Sequence, residues 1–433
     1  MINSPYNKRI AQASERVVRG DIMTADGEVI ARTETADDGS EYRSYPYERR
    51  YAHAVGYTIN GMAGLESANN YDLLKTHAFF VKQIINDVKG EKQQGDTLVT
   101  TLDSRLQSAA SKALGDRRGA VIALDVKTGK VRAMVSKPDY NPNTLASNWD
   151  DIVSDNSSSV LLNRATNGLY PPGSTFKIVT SLAYIHEHGD YEKFSYHCNS
   201  EISADDTTIH CYKNTAHGDE DLKTAFARSC NTAYSTIGLS LNRSKFNSLA
   251  NKLMFNSPLP TQLPGTATSS FKLKKNDNKG KVMSTSIGQG DTLASPIHMA
   301  MIAAAIDNGG TVMEPYMTER IQNDEGKTVK QFYEKAYGRV LSEKDCEIMK
   351  EFMRGVVKNG TAAQMNDDAY QAYGKTGSAE YNSNGDSHGW FVGFASKEGK
   401  EDLALAVIVE DGGSGSSSAV PVAEEVFDTW EEI

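Results

Sequence analysis

Apolar positions change their period several times along this chain, and the changes mark out its elements. Residues 1–95 are polar and rich in Tyr, Arg and Asn, with no long apolar period before YDLLKTHAFFVKQIINDV. That stretch predicts a small accessory domain. From Asp96 the character shifts: DTLVTTLDSRLQSAASKAL reads as a strand followed by an amphipathic helix, and GAVIALDVKTGKVRAMVS as a hairpin turning at Lys127 to Lys130. Mostly helical patterns fill the middle. Strand patterns return in KTGSAEY, HGWFVGFAS and LALAVIVED, followed by a loop, GGSGSSSA, and a final short helix. Strands at both ends with helices between predict an α+β domain over 96–433, its sheet uniting the two ends.

Composition narrows the partners more than the fold. The 433 residues are 39% hydrophobic and 24% charged, which suits a globular chain long enough for two domains. A formal net charge of -10 argues against nucleic acid as a main partner. No stretch approaches the ~18 apolar residues needed to span a bilayer, and the opening MINSPYNKRIAQASERVV has no leader-like apolar run. Composition alone would put the chain in the cytosol.

The chemistry concentrates at YPPGSTFKIVTSLAY. Pro171, Pro172 and Gly173 cannot continue a preceding helix, whereas the residues from Ser174 onward carry helix formers with apolar Phe176, Ile178, Val179 and Leu182. A helix starting near Ser174 puts Lys177 on the same face, within reach of the Ser174 hydroxyl, beside first-turn N–H groups able to stabilise an oxyanion. Alone, S-x-x-K is equally a capped helix start with a solvated lysine. Two more patterns change the balance. Ser229-Cys230-Asn231 follows an amphipathic run, and Lys375-Thr376-Gly377-Ser378 opens a strand pattern. S-x-x-K, S-x-N and K-T-G in this order form the signature of penicillin-interacting serine enzymes.

With these motifs the chain resembles the class B penicillin-binding proteins, bacterial transpeptidases that cross-link peptidoglycan. Arg19-Gly20-Asp21-Ile22, continuing to Asp26-Gly27, is similar to the R-G-x-I-x-D-x-x-G element of that family's N-terminal pedestal. Gly64-Leu65-Glu66 is similar to its G-L-E element, and IGQGDTLASPIHMAMIAAAIDNGG to the G-Q-G segment that precedes a helix. One departure is Ser378 where the family usually has Thr. The resemblance implies a penicillin-binding/serine β-lactamase-like transpeptidase domain on a small pedestal. It further implies a membrane anchor ahead of this segment, placing the protein on the extracytoplasmic face of the bacterial cell membrane, against the composition-based expectation. Peptidoglycan stem peptides, β-lactam antibiotics and a membrane glycosyltransferase are the implied partners.

The resemblance also assigns roles. Ser174 is the implied nucleophile, Lys177 its base, Ser229 a proton relay and Asn231 a holder of Lys177 and the substrate amide. Lys375, Thr376, Gly377 and Ser378 form the strand that receives the substrate carboxylate, with the N–H groups of Ser174 and Ser378 as the oxyanion hole. A serine β-lactamase or β-lactam sensor would share the three motifs but not the pedestal elements. A non-catalytic cell-wall scaffold would have no use for Ser174, Lys177 and Lys375.

Four cysteines remain. Cys198, Cys211 and Cys230, with His217, fall in one segment, and three thiolates with one imidazole suit a closed structural zinc site. The resemblance adds that some class B proteins carry a metal in this region on an acidic, His and Cys set. The competing reading is a Cys198–Cys211 disulfide with Cys230 buried and His217 solvated. Strand alternation points His197 and His210 away from the cluster, and Cys346 lies on an apolar helix face that predicts core.

Overall fold

The computed structural model describes residues 13–155, 157–381 and 386–433. Residues 1–12, most of the opening run MINSPYNKRIAQASERVV, lie outside the described residues.

A five-stranded antiparallel sheet organises the larger domain. Its strands are β1 (Gly119–Asp125), β2 (Val131–Lys137), β3 (Gln371–Glu380), β4 (Ser387–Ser396) and β5 (Leu403–Val409), in the order β3-β4-β5-β1-β2. The N-terminal hairpin and the three C-terminal strands meet where β5 pairs with β1, Val407 opposite Val121. Every residue of β1 and β5 is buried, as a strand covered on both faces must be. Seven helices concern the site: α1 (Ser104–Leu114), α2 (Lys177–Glu187), α3 (Asn231–Ser240), α4 (Lys279–Ser286), α5 (Pro296–Asp307), α6 (Glu343–Asn359) and α7 (Val420–Glu432). The amphipathic α1 and α7 pack together over the sheet. α5, PIHMAMIAAAID, is apolar all round and buried at nearly every position, the composition of a helix sealed behind a sheet.

The N-terminal domain is built on a second sheet of six strands. Ile22–Met23, Val29–Thr35 and Glu41–Ser44 supply one side of it, and Thr97–Thr100, Thr318–Gln322 and Thr328–Gln331 the other. Strands from both sides of residue 95 thus share this one sheet. Strands at 97–100 and 318–331 close an otherwise open edge of the N-terminal sheet and tie the two domains together. The pedestal-like motifs meet in three dimensions. Glu66 is fully buried between Arg19 and Arg43, each guanidinium 2.7 Å from one of its carboxylate oxygens. Gly20 is required for contact: a Cβ there would lie 1.9 Å from the Asp96 carbonyl oxygen.

Candidate active site

Three segments bring the predicted residues to one cleft along the free edge of β3. The first is the turn before α2. Pro172 precedes it in the αR region (φ -73, ψ -16), Gly173 adopts φ +51, and Gly173–Phe176 form one tight 3-10 turn before α2 begins at Lys177. Phe176 anchors that turn among Phe246, Phe255 and Phe271. Trp390 on β4 donates its indole N–H to the Pro171 carbonyl at 3.1 Å, so the sheet fixes the turn directly. The second segment is the loop Ser229–Cys230 ahead of α3. Ser229 takes φ +60, a left-handed conformation that costs a non-glycine residue about 1 kcal/mol or more. Cys230 caps α3 by accepting from the Ala233 N–H. The third is β3 itself.

Two lysines are sealed beneath the cleft, and one hydroxyl lies between them. Lys177 Nζ donates to Asn231 Oδ1 at 2.7 Å and to the Ser229 carbonyl at 2.7 Å, and lies 3.2 Å from Ser229 Oγ. Lys375 Nζ donates to the same Ser229 Oγ at 2.9 Å and to the Thr376 carbonyl at 3.0 Å. Both lysines are 0% exposed, whereas Ser174, Ser229, Asn231 and Ser378 are half-exposed at the surface of the cleft. Burial pulls Lys177 down to about 8, against the opposing charges of Cys230, Cys211 and Glu220. Burial lowers Lys375 well below the ordinary lysine value, and the charge of Lys177 adds to that. Proton-accepting capacity is thus set beside exposed hydroxyls.

The expected Ser174–Lys177 hydrogen bond does not appear among the described residues. The 3-10 turn places Ser174 before the α-helical register begins, and the buried Lys177 amine satisfies itself on three oxygens of Ser229 and Asn231. Gly377 sits behind the turn, where a Cβ would lie 3.1 Å from the Pro172 carbonyl oxygen. Thr376 hydrogen-bonds through its hydroxyl to Thr361.

The four predicted metal ligands converge. The ligand atoms of Cys198, Cys211, His217 and Cys230 all lie within 4.8 Å of one another. Cys198 Sγ is 3.7 Å from Cys211 Sγ and 3.4 Å from His217 Nδ1, and Cys211 Sγ is 3.8 Å from Cys230 Sγ. A tetrahedral zinc at the usual zinc–sulfur and zinc–nitrogen lengths spaces its ligand atoms by about 3.5–3.8 Å, so the donor set fits that ion. All four cysteines are free thiols here, the Cys198–Cys211 disulfide being absent. Cys346 is buried. His197 and His210 are exposed and face Asp219 and Glu201 instead.

Sequence reasoning missed Glu220. It reads as one of several acids in GDED, yet its carboxyl is 2% exposed and its charge bears on Lys177. Its strand, Gly218–Glu220, pairs with Tyr196–Cys198, and only that pairing turns it inward.

Comparison with known proteins agrees with this geometry. Residues 119–428 match the family described as penicillin binding protein transpeptidase domain, and residues 19–98 the penicillin binding protein A dimerisation domain. The chain is 30% identical to the peptidoglycan D,D-transpeptidase PbpA of Mycolicibacterium smegmatis over 96% of its own length and 90% of that protein's. It is also 30% identical to the peptidoglycan D,D-transpeptidase MrdA of Acinetobacter baumannii, over 90% of this chain and 66% of that one. Among solved structures, the ceftriaxone acyl-enzyme complex of penicillin-binding protein A from Mycobacterium tuberculosis superposes with TM-score 0.87 at 28% identity, covering 97% of this chain and 99% of that one.

Proposed function

The chain belongs to the penicillin-binding protein transpeptidase family, in its class B form, and we infer from this and from the site that it is a peptidoglycan D,D-transpeptidase working through a serine acyl-enzyme. The observation that carries the reading is the Ser229 hydroxyl held between two buried lysines at the mouth of the cleft.

Ser174 Oγ attacks the carbonyl between the last two residues of a stem peptide, and neutral Lys177 takes its proton. The oxyanion that forms is met by the N–H groups of Ser174 and Ser378. Ser229, bonded to both lysines, passes a proton to the departing terminal D-alanine. An amine from a neighbouring stem then attacks the acyl-enzyme, and the same groups run in reverse. Thr376 and Ser378 hold the donor's terminal carboxylate, with Lys375 bracing Ser229 from beneath and Gly377 keeping β3 close to the Ser174 turn. A β-lactam presents the same carboxylate and a strained amide, so it acylates Ser174.

Cys198, Cys211, His217 and Cys230 hold a structural zinc in this reading. Four protein ligands would leave such an ion a structural one, supplying rigidity and no reaction step. It ties the hairpin of Glu201–Ala204 and Thr207–His210 to the loop that presents Ser229 and Asn231. The relatives' role in wall synthesis supports an extracytoplasmic location with a membrane anchor and a membrane glycosyltransferase as partner. No helix among the described residues is long and apolar enough to cross a membrane.

Fluorescent penicillin tests the assignment. It should label the protein covalently at Ser174 and fail to label Ser174→Ala; labelling that survives the substitution overturns the reading. Rapid turnover of a chromogenic cephalosporin would instead favour a β-lactamase.

A further inference from the structure

β3 is an edge strand of its sheet, so one side of its backbone is open to pair with an incoming peptide. In an antiparallel pair the N–H and C=O of one residue point to the same side, and the side alternates along the strand. Gln289, in the loop after α4, uses its half-buried side-chain amide as a pairing partner for Glu380 at the end of β3. With the amide oriented to satisfy both groups, its nitrogen donates to the Glu380 carbonyl at 3.0 Å and its oxygen accepts from the Glu380 N–H at 3.2 Å. Glu380 therefore faces the free edge, and by alternation so do Ser378 and Thr376. Ser378 agrees: a Cβ on Gly173 across the cleft would lie 2.9 Å from its carbonyl oxygen.

The same loop grips the opposite wall of the cleft. Gly173 N–H donates to the Gly288 carbonyl at 3.0 Å, and a Cβ on Gly288 would lie 2.1 Å from the Gly173 carbonyl oxygen. Gly288 and Gly290 take φ +77 and +73, conformations that keep Gln289 between the Ser174 turn and the end of β3.

We propose that Gln289 is a specificity-determining stop on the donor strand: it fills the Glu380 pairing position, so a stem peptide pairs with β3 through Ser378 only and then turns away. The proposal rests on the transpeptidase reading. A donor with its carboxylate at Thr376 and its scissile carbonyl at the Ser378 N–H runs antiparallel to β3, so its upstream residues approach Glu380. There the backbone groups they need are already taken by the Gln289 amide. Donor residues beyond the one paired with Ser378 are thereby read by other surfaces or not at all.

The test compares acylation by two donor peptides sharing a terminal D-Ala-D-Ala, one truncated just upstream of the Ser378-paired residue and one extended by two further residues. In the wild type their kcat/KM values should agree within about twofold. In Gln289→Ala the extended donor should gain about tenfold over the short one, mainly through KM, as the Glu380 pair becomes available. N-methylation of the donor amide that would meet the Glu380 carbonyl should erase that gain in the variant and leave the wild type unchanged. Gln289→Asn, too short to reach both groups, should move the same way and serves if the alanine variant folds poorly. Equal changes for both donors would show Gln289 to be a loop staple only and overturn the proposal, as would a wild type that already gains from donor length. Penicillin labelling of Ser174, measured in parallel, reports the underlying transpeptidase reading separately.

Discussion

Lys375 Nζ donates to Ser229 Oγ across 2.9 Å, although 146 positions separate the two residues. The contact joins an edge strand to a strained loop, and the same oxygen lies 3.2 Å from Lys177. Ser229→Ala leaves both amines short of an acceptor and removes the relay. Its second-order rate of acylation by penicillin should fall about 10²-fold or more, measured by stopped-flow fluorescence. A loss under fivefold would remove Ser229 from the proton path.

The reaction should be limited on the acid side by Lys177. Burial sets its amine at about 8, and only the neutral form accepts the Ser174 proton. Acylation should be level above pH 8 and fall about tenfold per unit below it, the lysine protonating as pH drops. A profile flat down to pH 6 would exclude Lys177 as the base.

Stability and activity should part at Lys375. Its folded pKa is depressed well below the unfolded value, so between the two the unfolded chain binds more protons and stability declines as pH falls from about 10. Lys375→Met removes that penalty while keeping the packed volume. The variant should melt higher than wild type at pH 7 and lose penicillin acylation by at least about 10²-fold. Calorimetry and labelling on one preparation check both halves.

Pedestal integrity should depend on Glu66. Burial pushes its carboxyl up, but Arg43 and Arg19 outweigh that and hold it below the usual range. Glu66→Ala strands two buried guanidiniums and should destabilise the protein by about 3–5 kcal/mol in urea unfolding. Acylation of the folded fraction at 25 °C should change little, since Arg19 and Glu66 lie outside the cleft.

Metal content can be read directly. Native mass spectrometry should show one zinc per chain, and His217→Ala should reduce its retention against a chelator. Stripping the ion should slow acylation at Ser174, because Cys230 lies between Ser229 and Asn231 in the chain. Two thiols fewer than four under denaturing, non-reducing conditions, with no zinc, would restore the disulfide reading.

Much of this was legible in the sequence. Strand-like apolar runs at 119–137 and 371–409 identified the sheet that unites both ends, and the Pro-Pro-Gly turn identified the start of α2. Serines, lysines and cysteines with chemical roles stood in ordered motifs, because each motif is a local backbone requirement. The gaps were non-local. Strand pairing of 318–331 with the N-terminal sheet could not be read from polarity, since a half-exposed strand looks the same whichever sheet it joins. Glu220 looked like surface charge until its pairing with Tyr196–Cys198 turned it inward.

Local patterns along the chain were enough to say which groups are available and what short-range geometry presents them: Ser174 after a glycine turn, Cys230 as a helix cap, Lys375 on a strand. Their partners were set by the packing of distant segments. Lys177 turned from Ser174 to Asn231, both lysines converged on Ser229, and the Gln289 amide took the Glu380 position on the free edge. The physical reason is burial. A buried amine or an open strand edge settles on whichever donors and acceptors the whole fold brings within about 3 Å, and residues a hundred positions away supply them.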